Sequence, residues 1–308
     1  MTRAPEPMPH LYRMSGLVVA SEVELPGAIA LTGPAEIDVR LRIGEVSPGL
    51  AAPRLSGPDW WLDGRDFLMD LPEIGRFLAR DGREIVVDPA PGQSIPDVLP
   101  FAVGTTFGAL LHQRGALLLH ASAVTRGGRA HLMCGHSGIG KSTLAAALVG
   151  AGCGFLGDDV AAVEVRDDGE VVVHPDGRML RLYRDSIART GLGEAVGPAL
   201  RSKVDKYFVT PPTAVETAAP LASVQVLEAA SATQPVGIRR LSPVTAAQSL
   251  LRHAYRRRLA LASGVDLAAR TATLLARVPV NQLVRPADLA RIDETVAMLI
   301  ARWDAAEG

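Results

Sequence analysis

The chain of 308 residues is predicted to fold as an α/β protein, with a β-rich region over residues 1–92 and a mixed α/β domain over residues 93–308. Three observations carry this prediction. Short segments that alternate apolar and polar residues fill the first region. A glycine-rich loop between a strand and a helix follows near residue 135, and the chain from residue 243 onward has the spacing of helices. The second domain is expected to hold a mixed, strongly twisted sheet around the loop helix, with a helical C-terminal part packed on it.

Composition excludes several classes of protein. Apolar residues make up 48% of the chain and the net charge is −1, which is enough for a large core and argues against a general nucleic-acid binder. No run approaches the roughly 18–20 apolar residues of a membrane helix, and residues 1–10 lack the apolar segment of a secretory signal. We therefore expect a cytoplasmic protein without a membrane partner. Two cysteines, Cys134 and Cys153, provide no disulfide framework and are expected to be buried.

The N-terminal region has the two-residue period of half-buried strands, with Asp-Gly pairs at 63–64 and 81–82 that indicate hairpin turns. A connector is expected over 89–93. The predicted strands cover residues 17–20, 37–43, 60–62, 67–71, 76–80 and 85–87.

Helical and strand patterns alternate from residue 95 onward. The apolar run 116–124 is expected to be one buried strand, and 126–129 a turn into the strand 130–134 that leads to the glycine loop. Further strands are predicted over 161–165, 171–174, 179–183, 221–227 and 237–241. Helices are predicted over 95–113, 142–149, from 185 onward, and over 246–259, 267–276 and 287–303.

The most informative segment is G-H-S-G-I-G-K-S at residues 135–142, which fits the phosphate-loop pattern G-x-x-x-x-G-K-[ST] at every fixed position. Backbone N–H groups of such a loop and the following helix N-terminus form an anion site. Lys141 can reach the outer phosphates, and the Ser142 hydroxyl can ligate Mg²⁺. A tight turn without a ligand would leave the glycine pattern unexplained. The expected nucleotide-binding residues are Gly135, His136, Ser137, Gly138, Ile139, Gly140, Lys141, Ser142, Thr143 and Arg181.

An acidic pair, Asp158 and Asp159, follows the loop helix after a short turn. Two carboxylates at this position suit Mg²⁺ coordination and proton abstraction. The alternative is a solvated turn with capping or ion-pair duties, but the place of the pair just after the loop helix favours a function. Strand alternation predicts that only one of the two carboxylates points to a given face.

Two further features are candidates with less specific signals. His120 interrupts an apolar run, where a histidine is more often a core or surface residue. A basic cluster comprises Arg178, Arg181, Arg184, Lys203 and Lys206. Most of its members are expected on a solvated strand face, and Arg181 is the one that we expect to bind phosphate or an acidic substrate segment.

Together these residues resemble the bacterial HPr kinase/phosphorylase family, more specifically an HPr-kinase-like branch that includes serine kinases of peptide-tailoring systems such as lasso-peptide kinases. His120 stands 15 residues before Gly135, and the loop is similar to the family's G-x-S-G-x-G-K-S. Asp158 and Asp159 stand 17 and 18 residues after Lys141, similar to the acids of the family's Ala-Asp-Asp. The resemblance covers about residues 116–166.

The resemblance implies a kinase that uses ATP and Mg²⁺ to phosphorylate a serine hydroxyl of a peptide or small protein. It implies that Lys141 stabilises the transferred phosphoryl group and that Ser142, Asp158 and Asp159 are the candidate metal ligands. Asp159 would take the proton from the acceptor hydroxyl, with Asp158 supporting the metal or sharing that role. His120 would lie near the phosphates and orient the acid or the nucleophile.

The sequence also departs from the family. Thr143 stands where the bifunctional members have Glu, and residues 178–185 lack their Glu-x-Arg-Gly-x-Gly signature, although Asp185 is available as a substitute ligand. We therefore expect kinase activity without the reverse phosphorylase reaction. Two alternatives stay open: a nucleotide-binding regulatory or interaction protein without transfer, and a small-molecule kinase. Homo-oligomers are an expectation from related proteins that no pattern in this chain decides.

Overall fold

The fold is mixed α/β, as the sequence predicts. The computed structural model describes residues 9–25, 27–190, 192, 196–201, 204–231 and 235–306. Within these residues the strands form sheets of eight, nine and three strands. In the described part of the chain, no helix combines the length and the apolar character needed to cross a bilayer.

The N-terminal sheet has the strand order β1-β2-β3-β8-β7-β6-β5-β4. Every strand predicted in this region is present, and β1 and β4 are additional. The predicted hairpin turns connect β5 to β6 and β7 to β8. The strands are β1 (His10–Met14), β2 (Leu17–Ser21), β3 (Val39–Ile43), β4 (Leu55–Ser56), β5 (Trp60–Asp63), β6 (Asp66–Leu71), β7 (Gly75–Arg80) and β8 (Glu84–Pro89).

The segment 95–113 is helical but is not one regular helix. It comprises α1 (Ile95–Phe101), a π-helical turn (Ala102–Thr106) and α2 (Phe107–Gln113). Ser94 caps α1, and Pro100, which has no N–H to donate, lies just before the irregular turn. Buried side chains of α1 and α2 pack with those of the N-terminal sheet in one apolar cluster, which also takes residues from beyond position 113, such as Leu118 and Val160.

The nine-stranded sheet carries the glycine-rich loop. Its centre is parallel, with β18 between β11 and β20, while β10 runs antiparallel to both β11 and β12. Its strands are β9 (Leu117–Leu119), β10 (Ala121–Arg126), β11 (Arg129–Cys134), β12 (Gly154–Gly157), β13 (Ala161–Val165), β14 (Val171–His174), β18 (Ala219–Ala229), β19 (Gly237–Arg240) and β20 (Val280–Arg285).

The C-terminal part is therefore not purely helical, and the expectation of helices alone from residue 243 is wrong. β20 lies in the middle of this sheet, between β18 and β19. Its sequence places Asn281 and Gln282 inside an apolar run, and this interruption hides the strand pattern even though all six residues are buried.

The third sheet has the order β15-β17-β16, with β15 (Leu180–Tyr183), β16 (Val196–Arg201) and β17 (Val204–Val209). The predicted helix 246–259 is two helices: the first ends at Arg252, and the second begins at Arg257, directly after Arg256 with its left-handed φ of 43°. The last helix starts at residue 292, after a 3₁₀ turn (Leu289–Arg291). The remaining helices are α3 (Lys141–Gly150), α4 (Arg184–Thr190), α5 (Pro243–Arg252), α6 (Arg257–Ala262), α7 (Leu267–Arg277) and α8 (Ile292–Asp304).

Three strand ends meet at one edge of the nine-stranded sheet. The predicted single strand 116–124 is broken at His120, which separates β9 from β10. At the start of β10, Ala121 pairs with Cys134 at the end of β11, and Ala123 pairs with Gly157 at the end of β12. Antiparallel pairing thus brings the break at His120, the start of the glycine loop and the acidic pair together.

Candidate active site

The glycine-rich loop connects β11 to α3, the context that the motif requires. Gly138 and Gly140 have φ of 82° and 91°, a conformation that favours glycine. A Cβ at Gly140 would lie 2.8 Å from Nη2 of Arg285, whose guanidinium donates to the carbonyl of Ile139 inside the loop. The end of β20 therefore braces the loop from outside.

Lys141 is the first residue of α3 and is buried. Its Nζ donates to the carbonyl oxygens of Gly135 at 3.0 Å and His136 at 3.2 Å, so the side chain folds back over the loop. Burial lowers the pKa of Lys141, and the charge of Asp158 works in the opposite direction. The ammonium group thus lies among carbonyl dipoles at the mouth of the loop.

Asp158 is buried, with 2% of its surface exposed, and joins the loop helix to the sheet. Its Oδ1 accepts hydrogen bonds from Ser122 on β10 at 2.6 Å and from Ser142 on α3 at 2.9 Å. Its backbone N–H donates to Oδ2 of Asp176 at 2.9 Å. The carboxylate is therefore held in place next to the hydroxyl that the phosphate-loop pattern assigns to a metal ion.

Asp159 faces the same cleft from a different environment. Nδ1 of His120 lies 2.8 Å from its backbone carbonyl oxygen and 3.3 Å from its Oδ1, and Nη2 of Arg181 lies 3.0 Å from its Oδ2. Burial opposes its charge, but the hydrogen bond with His120 and the charges of Arg181 and Arg178 outweigh burial and hold the pKa of Asp159 well below its usual range. This carboxyl group is ionised at physiological pH.

The expectation that only one carboxylate of the pair faces the site is wrong. Asp159 has φ of 81°, so the chain leaves the strand geometry directly after β12 and the two-residue alternation no longer applies. Both carboxylates line one cleft as a result. Aspartate is among the few residues other than glycine that adopt this conformation at modest cost.

His120 lies where β9 and β10 separate, and its side chain is 32% exposed. Its backbone N–H donates to the carbonyl of His253 at 2.8 Å, which connects the site to the end of α5. Burial, together with the charge of Lys141, lowers the pKa of His253 to about 4, so that ring is neutral. The ring of His120 contacts Asp159 and lines the open cleft.

The basic cluster divides into different environments. Arg178, expected on a solvated face, is instead buried and lies 3.4 Å from Oδ2 of Asp176, while its Nη1 donates to the carbonyl of Val103. Burial raises the pKa of Asp176, and the charge of Arg178 opposes that rise. Arg184 is exposed, and Lys203 lies outside the described residues. Arg181 and Lys206 line the cleft with the acidic pair.

The cleft has a volume of about 420 Å³ and gathers most of the residues that the sequence singled out. Gly135, His136 and Ile139 belong to the loop without lining the cleft, and Asp185 does not line it either. The predicted residues that line it are His120, Ser137, Gly138, Gly140, Lys141, Ser142, Thr143, Asp158, Asp159 and Arg181. The others are Leu182, Tyr183, Ser186, Lys206, Arg285, Ala287 and Leu289.

The donor set suits a magnesium ion that is bound together with phosphate. Ser142 Oγ and Asp158 Oδ1 are adjacent oxygen donors, and Mg²⁺ at phosphate sites takes one or two carboxylates, with phosphate and water as its other ligands. Both carboxylate oxygens of Asp159 instead face His120 and Arg181. Across the described residues, no group of three or more His, Cys, Asp or Glu side chains could hold a metal by itself.

Sequence reasoning missed several residues of this site. Ser122 and Arg285 belong to strands with no recognisable motif, and only pairing in the sheet brings them to the loop. Asp176 has no sequence signal of its own, although it accepts from the backbone N–H of Asp158, and the basic cluster gave no sign that Arg178 contacts Asp176. The alternation of polar residues with Leu180 and Leu182 was the one signal that placed Arg181 on a strand face. The prediction for the cysteines is confirmed, since both are free and buried.

Comparisons with known proteins add little to this geometry. No family model matches the chain, and no curated protein matches it. Among solved structures, the chain is similar to the HPr(Ser) kinase/phosphatase from Coxiella burnetii, with a TM-score of 0.34 and 13% identity. The similarity covers 62% of this chain and 99% of that one. A TM-score this low does not establish a shared fold, so membership of that family stays a prediction.

Proposed function

We propose that this protein is a kinase that transfers the γ-phosphoryl group of ATP, with Mg²⁺, to a serine hydroxyl of a peptide or small protein. One observation carries the proposal. The hydroxyl of Ser142, at the start of the loop helix, lies 2.9 Å from the buried carboxylate of Asp158, and the ionised carboxylate of Asp159 follows in the same cleft. A loop with the phosphate-binding pattern and a candidate base thus line the same cleft.

The loop amides and the N-terminus of α3 would bind the phosphates, because they present N–H groups and a partial positive charge. Lys141 would exchange its two carbonyl partners for phosphate oxygens. Ser142 and Asp158 would hold Mg²⁺, which neutralises charge on the β- and γ-phosphates. Asp159 would accept a hydrogen bond from the incoming hydroxyl and then its proton, while His120 and Arg181 fix the orientation of the carboxylate. Phosphoryl transfer needs mainly such positioning and charge stabilisation.

The open side of the cleft supports a peptide as the acceptor. Tyr183 lines the cleft although 58% of its surface is exposed, and the apex of the loop, residues 136–138, is exposed too. A serine on an extended segment could reach Asp159 from this side. A small-molecule kinase normally encloses its acceptor more completely.

The test is transfer of labelled phosphate from ATP to serine-containing peptides and to candidate small proteins, with and without Mg²⁺. We expect magnesium-dependent phosphoserine, and a loss of about 10²- to 10⁴-fold in turnover for Asp159→Ala, as for removal of a general base. Asp167→Asn, at an exposed turn, is the matched control and should retain activity. Transfer that survives Asp159→Ala would remove the proposed base.

A nucleotide-binding regulatory protein without transfer is the second candidate. The observation that favours it is the contact of Asp159 with Arg181, because a carboxylate with a low pKa is a weak base. ATP binding without transfer to any acceptor would support this alternative. Transfer to a metabolite but to no peptide would instead support the small-molecule kinase.

A further inference from the structure

A second cavity of about 440 Å³ lies away from the proposed active site, where the parallel strands of the nine-stranded sheet begin. Its floor is formed by side chains of β11, β18 and β20, and the C-terminal end of α8 covers it. The floor residues are His131, Ser223, Gln225 and Asn281, and Trp303 of α8 stacks on His131; each of the five is between 1% and 6% exposed. Its volume falls in the range of small-molecule sites, about 300–1,000 Å³.

The floor is polar and its hydrogen bonds are incomplete. Four buried side-chain atoms around it have no partner: Nε2 of His131, Oε1 of Gln225, Oδ1 of Asn281 and Nε1 of Trp303. Buried polar atoms are nearly always paired, since each unpaired one costs about 1–3 kcal/mol. Four such atoms belong to residues that line this one cavity, which makes it the candidate site for a bound molecule.

Part of the floor is held rigidly in this unpaired arrangement. Ser223 Oγ lies 2.8 Å from Nδ1 of His131 and accepts from Nε2 of Gln225 at 2.9 Å. The rings of His131 and Trp303 stack at 3.9 Å. Burial and the charge of Arg129 lower the pKa of His131 to about 4, so its ring is neutral. The floor thus presents uncharged hydrogen-bonding groups in fixed positions.

The rim of the cavity carries charge of one sign. Arg129, Arg240 and Arg302 line it, and among the described residues none of those lining it is acidic. All three arginines are exposed, and among the described residues no carboxylate forms an ion pair with any of them. Guanidinium groups bind carboxylate and phosphate oxygens with paired hydrogen bonds.

We propose that this cavity, the rim-arginine pocket, binds a small organic anion that also carries O–H or N–H donors. The anionic group would contact the three arginines, and the donors would pair with the side-chain oxygens of Gln225 and Asn281. The indole N–H of Trp303 would donate to an oxygen of the same molecule. The proposal is independent of the kinase activity, because the pocket and the cleft have no lining residue in common.

Trp303 provides a direct readout. The chain has three tryptophans, so Trp60→Phe combined with Trp61→Phe leaves Trp303 as the single fluorophore. We would titrate this variant with citrate, L-glutamate, glycerol 3-phosphate and inorganic phosphate, and repeat the titrations on the unmodified chain by calorimetry. We expect saturable binding of at least one organic probe, with Kd of about 1 mM or tighter. The carboxylate and phosphate probes distinguish the two anion chemistries.

Three variants separate a binding site from a water-filled cavity. Arg240→Gln should weaken binding about tenfold, while Arg258→Gln, an exposed arginine outside the pocket, should leave it unchanged. Asn281→Leu should abolish binding without lowering Tm, because it removes an unpaired polar atom. Absence of binding by all four probes up to 10 mM would overturn the proposal. So would binding that Arg240→Gln and Asn281→Leu leave intact, or binding of inorganic phosphate alone.

Discussion

At the scale of single residues, two adjacent aspartates have different surroundings because of one dihedral angle. Asp158 follows β12 directly and is buried between Ser122 and Ser142. Asp159, with φ of 81°, turns toward His120 and Arg181. The same two side chains on a regular strand would point to opposite faces. The division of roles in the proposed mechanism therefore depends on this local backbone conformation.

We expect Asp159→Asn to lower the free energy of unfolding at pH 7 and to have a smaller effect at pH 3. Asparagine tolerates a positive φ, so the substitution removes the charge without adding backbone strain. The pKa of Asp159 in the folded protein is held below its unfolded value of about 3.9. Its charge thus contributes stability that is present above about pH 4 and is lost as the pH falls through the folded-state pKa.

The measurement is the urea unfolding midpoint of both proteins at the two pH values. Asp167→Asn, in an exposed turn, is the control and should change neither midpoint appreciably. An equal loss at pH 3 and pH 7 would show that Asp159 stabilises the fold by packing rather than by charge.

His120 is expected to act on turnover more than on nucleotide affinity, because its ring contacts the proposed base, Asp159. If the proposed kinase activity holds, His120→Ala should lower kcat about 10²-fold, the cost of a small displacement of a reacting group. The dissociation constant for ATP should change little. Steady-state kinetics and equilibrium binding measure the two quantities separately, and His10→Ala, an exposed histidine on β1, is the control. Unchanged turnover would reduce His120 to a structural residue.

At the scale of elements, the site is a consequence of strand pairing. β10 lies between β11 and β12 and runs antiparallel to both, so its first residues meet the last residues of its neighbours. The loop, His120 and the acidic pair come from three segments that the sequence singled out, although it predicted an unbroken strand at His120. Their meeting at one edge required the sheet order, which no local pattern encodes.

A close backbone crossing connects the N-terminal sheet to the site. Gly177 has φ of 69°, and a Cβ there would lie 1.7 Å from the carbonyl oxygen of Arg13. The carbonyl of Gly177 also accepts from the N–H of Ile29, and Ala28 pairs with Arg178. The residues on either side of Gly177 are the ion pair that supports Asp158.

We expect Gly177→Ala to destabilise the protein by clearly more than the roughly 1–2 kcal/mol of a left-handed alanine. Gly264→Ala is the matched control, since Gly264 has φ of 82° and a Cβ there meets no atom within 4 Å. Urea unfolding of the two variants isolates the cost of the clash. Equal losses would mean that the strand crossing relaxes without penalty.

At the scale of the whole molecule, the N-terminal sheet and the helices that follow share one core. Val98, Leu99, Phe107 and Leu110 belong to the apolar cluster of the N-terminal sheet, although they lie beyond residue 92. Each such side chain contributes about 1.5–3 kcal/mol when buried, against a total stability of about 5–15 kcal/mol. The two regions depend on each other for burial.

We therefore expect the segment 93–308, expressed without the first 92 residues, to aggregate or to lack a cooperative unfolding transition. Deletion of residues 1–8 alone is the control, because it leaves every described strand in place. Circular dichroism during heating and the elution volume on gel filtration measure the outcome. A monomeric segment with a sharp transition would show that residues 93–308 fold independently.

The sequence by itself determined the α/β class, nearly all strands of the first region, the glycine loop between strand and helix, and the position of the acidic pair. These features have local causes: side-chain alternation, glycine conformations and motif spacing. Only the tertiary structure decided that both carboxylates face one cleft, that β20 lies inside the central sheet, and that Ser122, Asp176 and Arg285 support the site. Such contacts join residues far apart in the chain, and they depend on strand order and backbone conformation rather than on the identity of neighbouring residues.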